Sequence, residues 1–256
     1  MAIYPKIAVV SQLDTVPFVY GIRHEGNLRA DLLVFSSYTD CIEAFDSGKA
    51  DIALLPAALV PSLRGSEIIT DYCVGAVGAS RSAVLAGNTP VNKVQRIFVA
   101  PDAGTALNVA AWLSQNRWHI APEWAEAPAD GQATLQEGDA LLLAGDSAFA
   151  APTANYTFCY DIAKEWVDAA HLPLAFYVWV GRKGISYEVH DALQNALTFG
   201  IEHTYEAVAE SDCADVERAY DHLVGDIDFL FDIEKHTALQ RLWECGLKVA
   251  PKVNPG

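Results

Sequence analysis

Several short stretches offer the N–H groups of a chain turn, most of them beside hydroxyl, carboxylate or guanidinium groups, a combination that could grip a small anion. They are residues 11–15 (SQLDT), 36–39, 56–58, 78–82, 103–106 and 145–147. Each follows an apolar run of strand character, and several open a helix. The first N–H groups of a helix have no partner inside it, and the helix dipole favours negative charge there. Hydroxyls at Ser11, Thr15, Ser37, Ser82 and Thr105 could supplement those N–H groups, with Gln12, Pro56, Ala106 and Gly145 in the same turns. Asp14 reads either as a helix cap or as a carboxylate facing a substrate. Arg81 reads as an anion clamp, since a guanidinium matches a carboxylate with two hydrogen bonds, or as a solvated surface residue. Asp146 either faces a cleft or holds its loop through backbone N–H groups.

Other chemistries lack their patterns. The seven histidines form no metal-ligand spacing such as HExxH. His119 and His171, near the expected lobe connections, are the ones retained as candidates. Five widely spaced cysteines with no CxxC fit reduced, mostly buried thiols. Residues 75–80 (GAVGAS) fit neither GxGxxG nor GxxxxGK[ST]. Asp226, Asp228 and Asp232 are too interleaved with apolar residues for a calcium loop. Arg96, opening a strand, and Trp179, in an alternating strand, read as structural.

The elements that must position these groups follow from apolar periodicity. Residues 6–10 (KIAVV), 31–35, 50–56 (ADIALLP), 68–77, 82–86, 96–100, 139–143 and 176–181 read as strands. Near-continuous apolar runs suit parallel strands covered on both faces. Helices are expected over 16–21, 40–47, 105–113, 162–170, 188–210, 214–223 and 234–245, the last closed by Gly246. Ser36 or Ser37 can cap the second of these. A complete βαβ block precedes Pro90 and another follows it. The expected fold is therefore α/β with two lobes, a single doubly wound domain being the alternative: residues 1–87 plus 175–256 form lobe one and residues 90–173 form lobe two, with the ligand cleft between them. In such sheets ligands bind beyond the carboxyl ends of the strands.

Composition narrows the partners. The chain has 256 residues, 52% of them hydrophobic, and a formal charge of −16. That is ample for a core, and it disfavours nucleic acid or anionic lipid as partners. No apolar run approaches the roughly 20 residues of a membrane helix. The start, MAIYPKIAVVSQLDT, lacks the basic and apolar regions of a signal peptide, so the cytoplasm is the expected compartment. A monomer and a homodimer both remain compatible with the sequence.

Several segments in consistent order resemble the chorismate dehydratases of the futalosine route to menaquinone. They are VSQLDTVPFVYG (residues 10–21), GKADIALLPAALVP (48–61), IITDYCVGAVGASRSAVL (68–85), LLLAGDSAF (141–149) and YDIAKEWVDAAHLPLAFYVWV (160–180). The resemblance spans nearly the whole chain. It implies a fold like that of type II periplasmic solute-binding proteins and the conversion of chorismate, a small dicarboxylate, to 3-[(1-carboxyvinyl)oxy]benzoate and water. No metal or organic cofactor is implied.

The family pattern SYLNTxP falls on residues 11–17 and puts the family Asn on Asp14 and its Tyr on Gln12. Its GxVxSV serine falls on Ser82, which with Asp14 makes the expected catalytic set. Its SRTS turn falls on residues 103–106, where the Thr alone survives as Thr105, and GDRAF loses its Arg at Ser147. Asp14 cannot donate an amide hydrogen bond, and if ionised it adds a third negative charge beside a dianion. It then serves as a proton donor to the departing hydroxyl or as a base at C3–H, or the chain has lost the reaction and binds a related ligand. The competing classes are a non-catalytic cytoplasmic sensor for a small cyclic carboxylate and the sister naphthoate-forming enzyme of the same pathway, whose SPCPNDTF-like opening is missing here.

Overall fold

The computed structural model describes residues 4–101, 103–127, 135–151, 153–245 and 252–254. From the N-terminus run β1 (Lys6–Val10), α1 (Val16–His24), β2 (Asp31–Phe35), α2 (Tyr38–Asp46), β3 (Ile52–Pro56) and β4 (Ser66–Ala76). The middle of the chain holds β5 (Ala83–Gly87), β6 (Arg96–Val99), α3 (Gly104–Asn116), β7 (Glu123–Glu126), β8 (Asp139–Ala144), α4 (Asp146–Ala150), β9 (Phe158–Asp161) and α5 (Ile162–Ala170). Then follow β10 (Leu174–Arg182), α6 (Tyr187–Glu202), α7 (Thr204–Ala209), α8 (Val216–Gly225), β11 (Asp228–Leu230) and α9 (Ile233–Glu244).

These strands form two mixed sheets, ordered β11-β4-β10-β3-β1-β2 and β7-β6-β8-β5-β9. β1 lies parallel between β2 and β3, and its residues Ile7 to Val10 are all buried, as is every residue of β3. That burial explains their unbroken apolar runs. β10 is antiparallel to both β3 and β4, and β5 is antiparallel to β8 and β9. One hydrophobic cluster takes in Ile7, Leu54 and Trp179 of the first sheet and Ile97 and Leu142 of the second. Trp179 and the Arg96 pair with Asp139 (Nε to Oδ1 3.0 Å) are structural, as their sequence setting predicts.

The sheets divide the chain differently from the sequence reading. Ala83–Gly87, expected in lobe one, pairs in the second sheet. The chain leaves the first sheet between Ala76 and Ala83, through Arg81 at φ +56°, and not at Pro90. Proline there marks only a turn within the second sheet. The tail, also expected in lobe one, returns: Asn254 forms a parallel bridge with Ala125 of β7. Its N–H donates to the Trp124 carbonyl (2.9 Å), and its own carbonyl accepts from the Glu126 N–H (2.8 Å). Gly246 lies outside the described residues.

The helix expected over 188–210 is broken at His203, whose φ and ψ are −111° and 34°. There the Thr204 hydroxyl donates to the Ile201 carbonyl (2.7 Å), a local bond that competes with helix continuation. Gly200 stays within α6 for a packing reason. A Cβ on Gly200 would lie 1.9 Å from the Pro17 carbonyl oxygen, and one on Gly21 would lie 1.9 Å from that of Ala196. Two glycines let α1 and α6 touch backbone to backbone. Among the described residues no helix is long and apolar enough to cross a membrane. All five cysteines are free thiols, and burial pushes Cys41 up to about 12, which leaves it inert near neutral pH.

Candidate functional site

The chain leaves β1 into a tight turn held by Thr15. Its hydroxyl donates to the Val10 carbonyl (2.6 Å) and accepts from the Gln12 N–H (3.2 Å). This turn carries Asp14 into the interior, where it is 5% exposed. Asp14 Oδ1 lies 2.9 Å from Nε2 of His222, a residue of α8 with no exposed surface. One helical turn on, Asp226 Oδ2 lies 3.0 Å from His222 Nδ1 and accepts from Arg81 Nε at 2.6 Å. The four side chains alternate in sign from the interior to the surface. When both carboxylates are ionised, only a doubly protonated imidazole satisfies both contacts. Burial opposes that charge, but the hydrogen bonds and charges of Asp14 and Asp226 outweigh it and raise the His222 pKa above its ordinary value.

The same turn reaches the second sheet. The Leu13 N–H donates to Asp146 Oδ1 at 2.8 Å. The Gln12 side chain lies over Gly145, where a Cβ would come within 2.7 Å of Gln12 Oε1 and where φ is +57°. Glycine there permits both the backbone conformation and the close approach. Burial pushes the Asp146 pKa up, the Leu13 N–H pulls it back, and the Asp14 charge adds to the rise. Thr105, in the first turn of α3, makes a further bridge. Its hydroxyl donates to the Phe176 carbonyl (2.6 Å) and accepts from the Ala58 N–H (3.2 Å).

Close to the Thr105 bridge lies a cavity of about 590 Å³, lined among others by Tyr38, Pro56, Val99, Ala103, Gly104 and Asn108. α3 starts in its wall. Tyr38 stacks on Tyr177 with ring centroids 4.1 Å apart and planes at 4°. Burial, then the neighbouring Tyr177 and the Asp14 charge, hold the Tyr38 pKa well above the ordinary phenol value, so the ring keeps its proton. A smaller cavity of about 320 Å³ opens beside Ser11, Gln12, Leu13, Asp146 and Phe149.

Thus the residues singled out in the sequence fall into distinct settings. Gln12, Asp14, Gly145 and Asp146 gather at the β1 exit, and Pro56 lines the larger cavity. Ser37 instead caps α2, accepting from the Asp40 N–H (3.1 Å). Ser82 is buried, with its hydroxyl 3.5 Å from the Ser80 carbonyl oxygen. Ala106 is buried in the first turn of α3, its N–H bonded to the Ala103 carbonyl (2.9 Å). Arg81 is committed to Asp226 and is no free clamp. His119 and His171 occupy left-handed turns at φ +53° and +55°, and His171 ends α5. Sequence reasoning missed His222, Asp226 and Tyr38. The spacing of His222 and Asp226 on one helix face was a readable signal; the approach of Asp14 was not.

This architecture, two mixed α/β sheets with a cavity between them, defines a protein with a type II periplasmic-binding-protein-like fold. A crystal structure of an Archaeoglobus fulgidus protein superposes with a TM-score of 0.73 at 22% identity, covering 94% of this chain and 96% of that one. The alkanesulfonate-binding protein of Xanthomonas axonopodis pv. citri bound to MOPS gives 0.65 at 13% identity over 100% of both chains. The periplasmic aliphatic sulphonate binding protein of Escherichia coli gives 0.61 at 13% identity, over 96% of this chain and 87% of that one. Within that fold, a family model described as menaquinone biosynthesis matches residues 5–247. The chain belongs to this menaquinone-biosynthesis family.

Proposed function

We propose that the chain is a cytoplasmic lyase that converts chorismate to 3-[(1-carboxyvinyl)oxy]benzoate and water. The observation that carries this reading is the mostly apolar cavity at the start of α3, with a protonated Tyr38 in its wall and the charge-matched Asp14 and His222 nearby. The N–H groups of Gly104 and Thr105, which open α3, suit a substrate carboxylate. Tyr38 and Asn108 put polar side chains in the cavity wall, and the apolar part of that wall excludes water.

In this reading the C3–H bond breaks and its electron pair becomes ring π density as the C4–O bond breaks. Asp14 Oδ1 is turned to His222, and Asp14 is not among the described residues that line the cavity. A carboxylate of the bound substrate therefore takes the C3 proton and hands it to the departing hydroxide, which leaves as water. Aromatisation supplies the driving force, and the protein supplies orientation and a dry site. Mixing purified protein with chorismate should bleach the cyclohexadiene absorbance and give a product lighter by one water. No such product at high protein concentration overturns the reading.

One observation favours a second reading, a non-catalytic binding protein for a small cyclic carboxylate: Asp14, the expected catalytic carboxylate, is engaged by His222. Calorimetry separates the two, because tight chorismate binding with no product is the outcome of the second alone.

A further inference from the structure

A histidine with no exposed surface between two carboxylates needs a reason, because burying an ion pair carries a desolvation cost that geometry must offset. Here both ring nitrogens are matched, Nε2 to Asp14 at 2.9 Å and Nδ1 to Asp226 at 3.0 Å. Arg81 anchors Asp226 from the surface. The ring centroid of Phe149 on α4 lies 4.9 Å from that of His222 and shields the imidazole, and Arg218 of α8 lies over the other ring with its guanidinium carbon 4.2 Å from the Phe149 centroid. The other titratable groups within electrostatic reach are Asp146 of α4, which feels both Asp14 and His222, and Tyr38 of α2, which feels Asp14. With His222 protonated, the line from Asp14 to Arg81 is neutral in sum. With His222 neutral, it carries one negative charge beside the cavity.

We propose that His222 is the positioning residue of this site: as an imidazolium it orients Asp14, offsets its charge, and so sets the pH range in which the cavity accepts a doubly charged carboxylate. This rests on the dicarboxylate reading above. The stabilisation by the protonated pair is complete below the unfolded histidine value of about 6.5 and is lost as pH rises through the higher folded value. Dianion affinity should fall over the same interval.

The first measurement needs no ligand. The His222 imidazole, followed by NMR, should titrate above the ordinary histidine range in the wild type and about one pH unit or more lower in Asp14→Asn. Unchanged titration overturns the proposal. The second is chorismate affinity by calorimetry between pH 6 and 9. His222→Gln should weaken binding about tenfold or more at pH 6.5 and flatten the profile. Asp14→Asn/His222→Gln should recover most of that loss, since an amide needs no counter-charge. A His222→Gln protein that binds like wild type, or a double variant as weak as the single one, overturns the proposal. If the imidazole titrates as expected and chorismate binds but is not turned over, the dehydratase reading fails and the His222 assignment stands. If turnover proceeds but the titration is unmoved by Asp14→Asn, the His222 assignment fails by itself.

Discussion

Thr105 sits where a ligand-binding hydroxyl is expected, yet its hydroxyl is committed to the protein. It bridges the Phe176 carbonyl and the Ala58 N–H from a fully buried position. Thr105→Val keeps the shape and strands both backbone groups. Denaturant unfolding should therefore show a loss of about 1–3 kcal/mol, the cost of buried groups left unpaired. Wild-type stability would return Thr105 to a ligand-binding role. The contrast between Asp14 and His222 shows what a sequence discloses at this scale. Asp14 is conspicuous, a carboxylate set just past an apolar strand. His222 lies in an ordinary amphipathic helix, and the partner that gives it meaning is 208 residues away. Local pattern finds the first kind of residue. Only the closed chain reveals the second.

At the scale of elements, hydrophobic runs located most strands because burial on both faces demands them, as in β3 and β10. Their partners were less legible. β5 is as apolar as β3, and nothing in its five residues says which sheet it joins; antiparallel pairing with β8 and β9 settles that. Gly200 has the opposite lesson, since a residue unfavourable to a helix proves necessary to a helix contact. Gly21→Ala should push α1 off α6 and destabilise the protein by about 1–3 kcal/mol or more, the usual cost of overpacking, read as a lower midpoint in thermal unfolding. A midpoint at or above wild type would mean that the helices separate freely.

For the whole molecule, the net charge of −16 stands in apparent conflict with the dicarboxylate substrate proposed above. The conflict is resolved locally, because fields from exposed charges are screened within about 8–10 Å at physiological salt, while Gly104 at the start of α3 lines the cavity and the imidazole of His222 offsets the Asp14 charge at 2.9 Å. The turn after β1 joins the two sheets from one side through Leu13 and Asp146, and Thr105 joins them from the other. Thr105 follows Gly104 in the wall of the larger cavity, and Leu13 and Asp146 line the smaller one, so contacts that join the sheets lie beside both.

The returning tail carries a consequence of its own. Asn254 occupies the outer side of β7 with two backbone hydrogen bonds and a third from its side chain to Glu123 (3.2 Å). A sheet margin left bare is a template for foreign strands. Removing residues 252–254 should therefore yield a protein prone to stick to itself, seen as early elution in size-exclusion chromatography that worsens with concentration. Elution identical to that of the full chain would show that β7 guards its own margin.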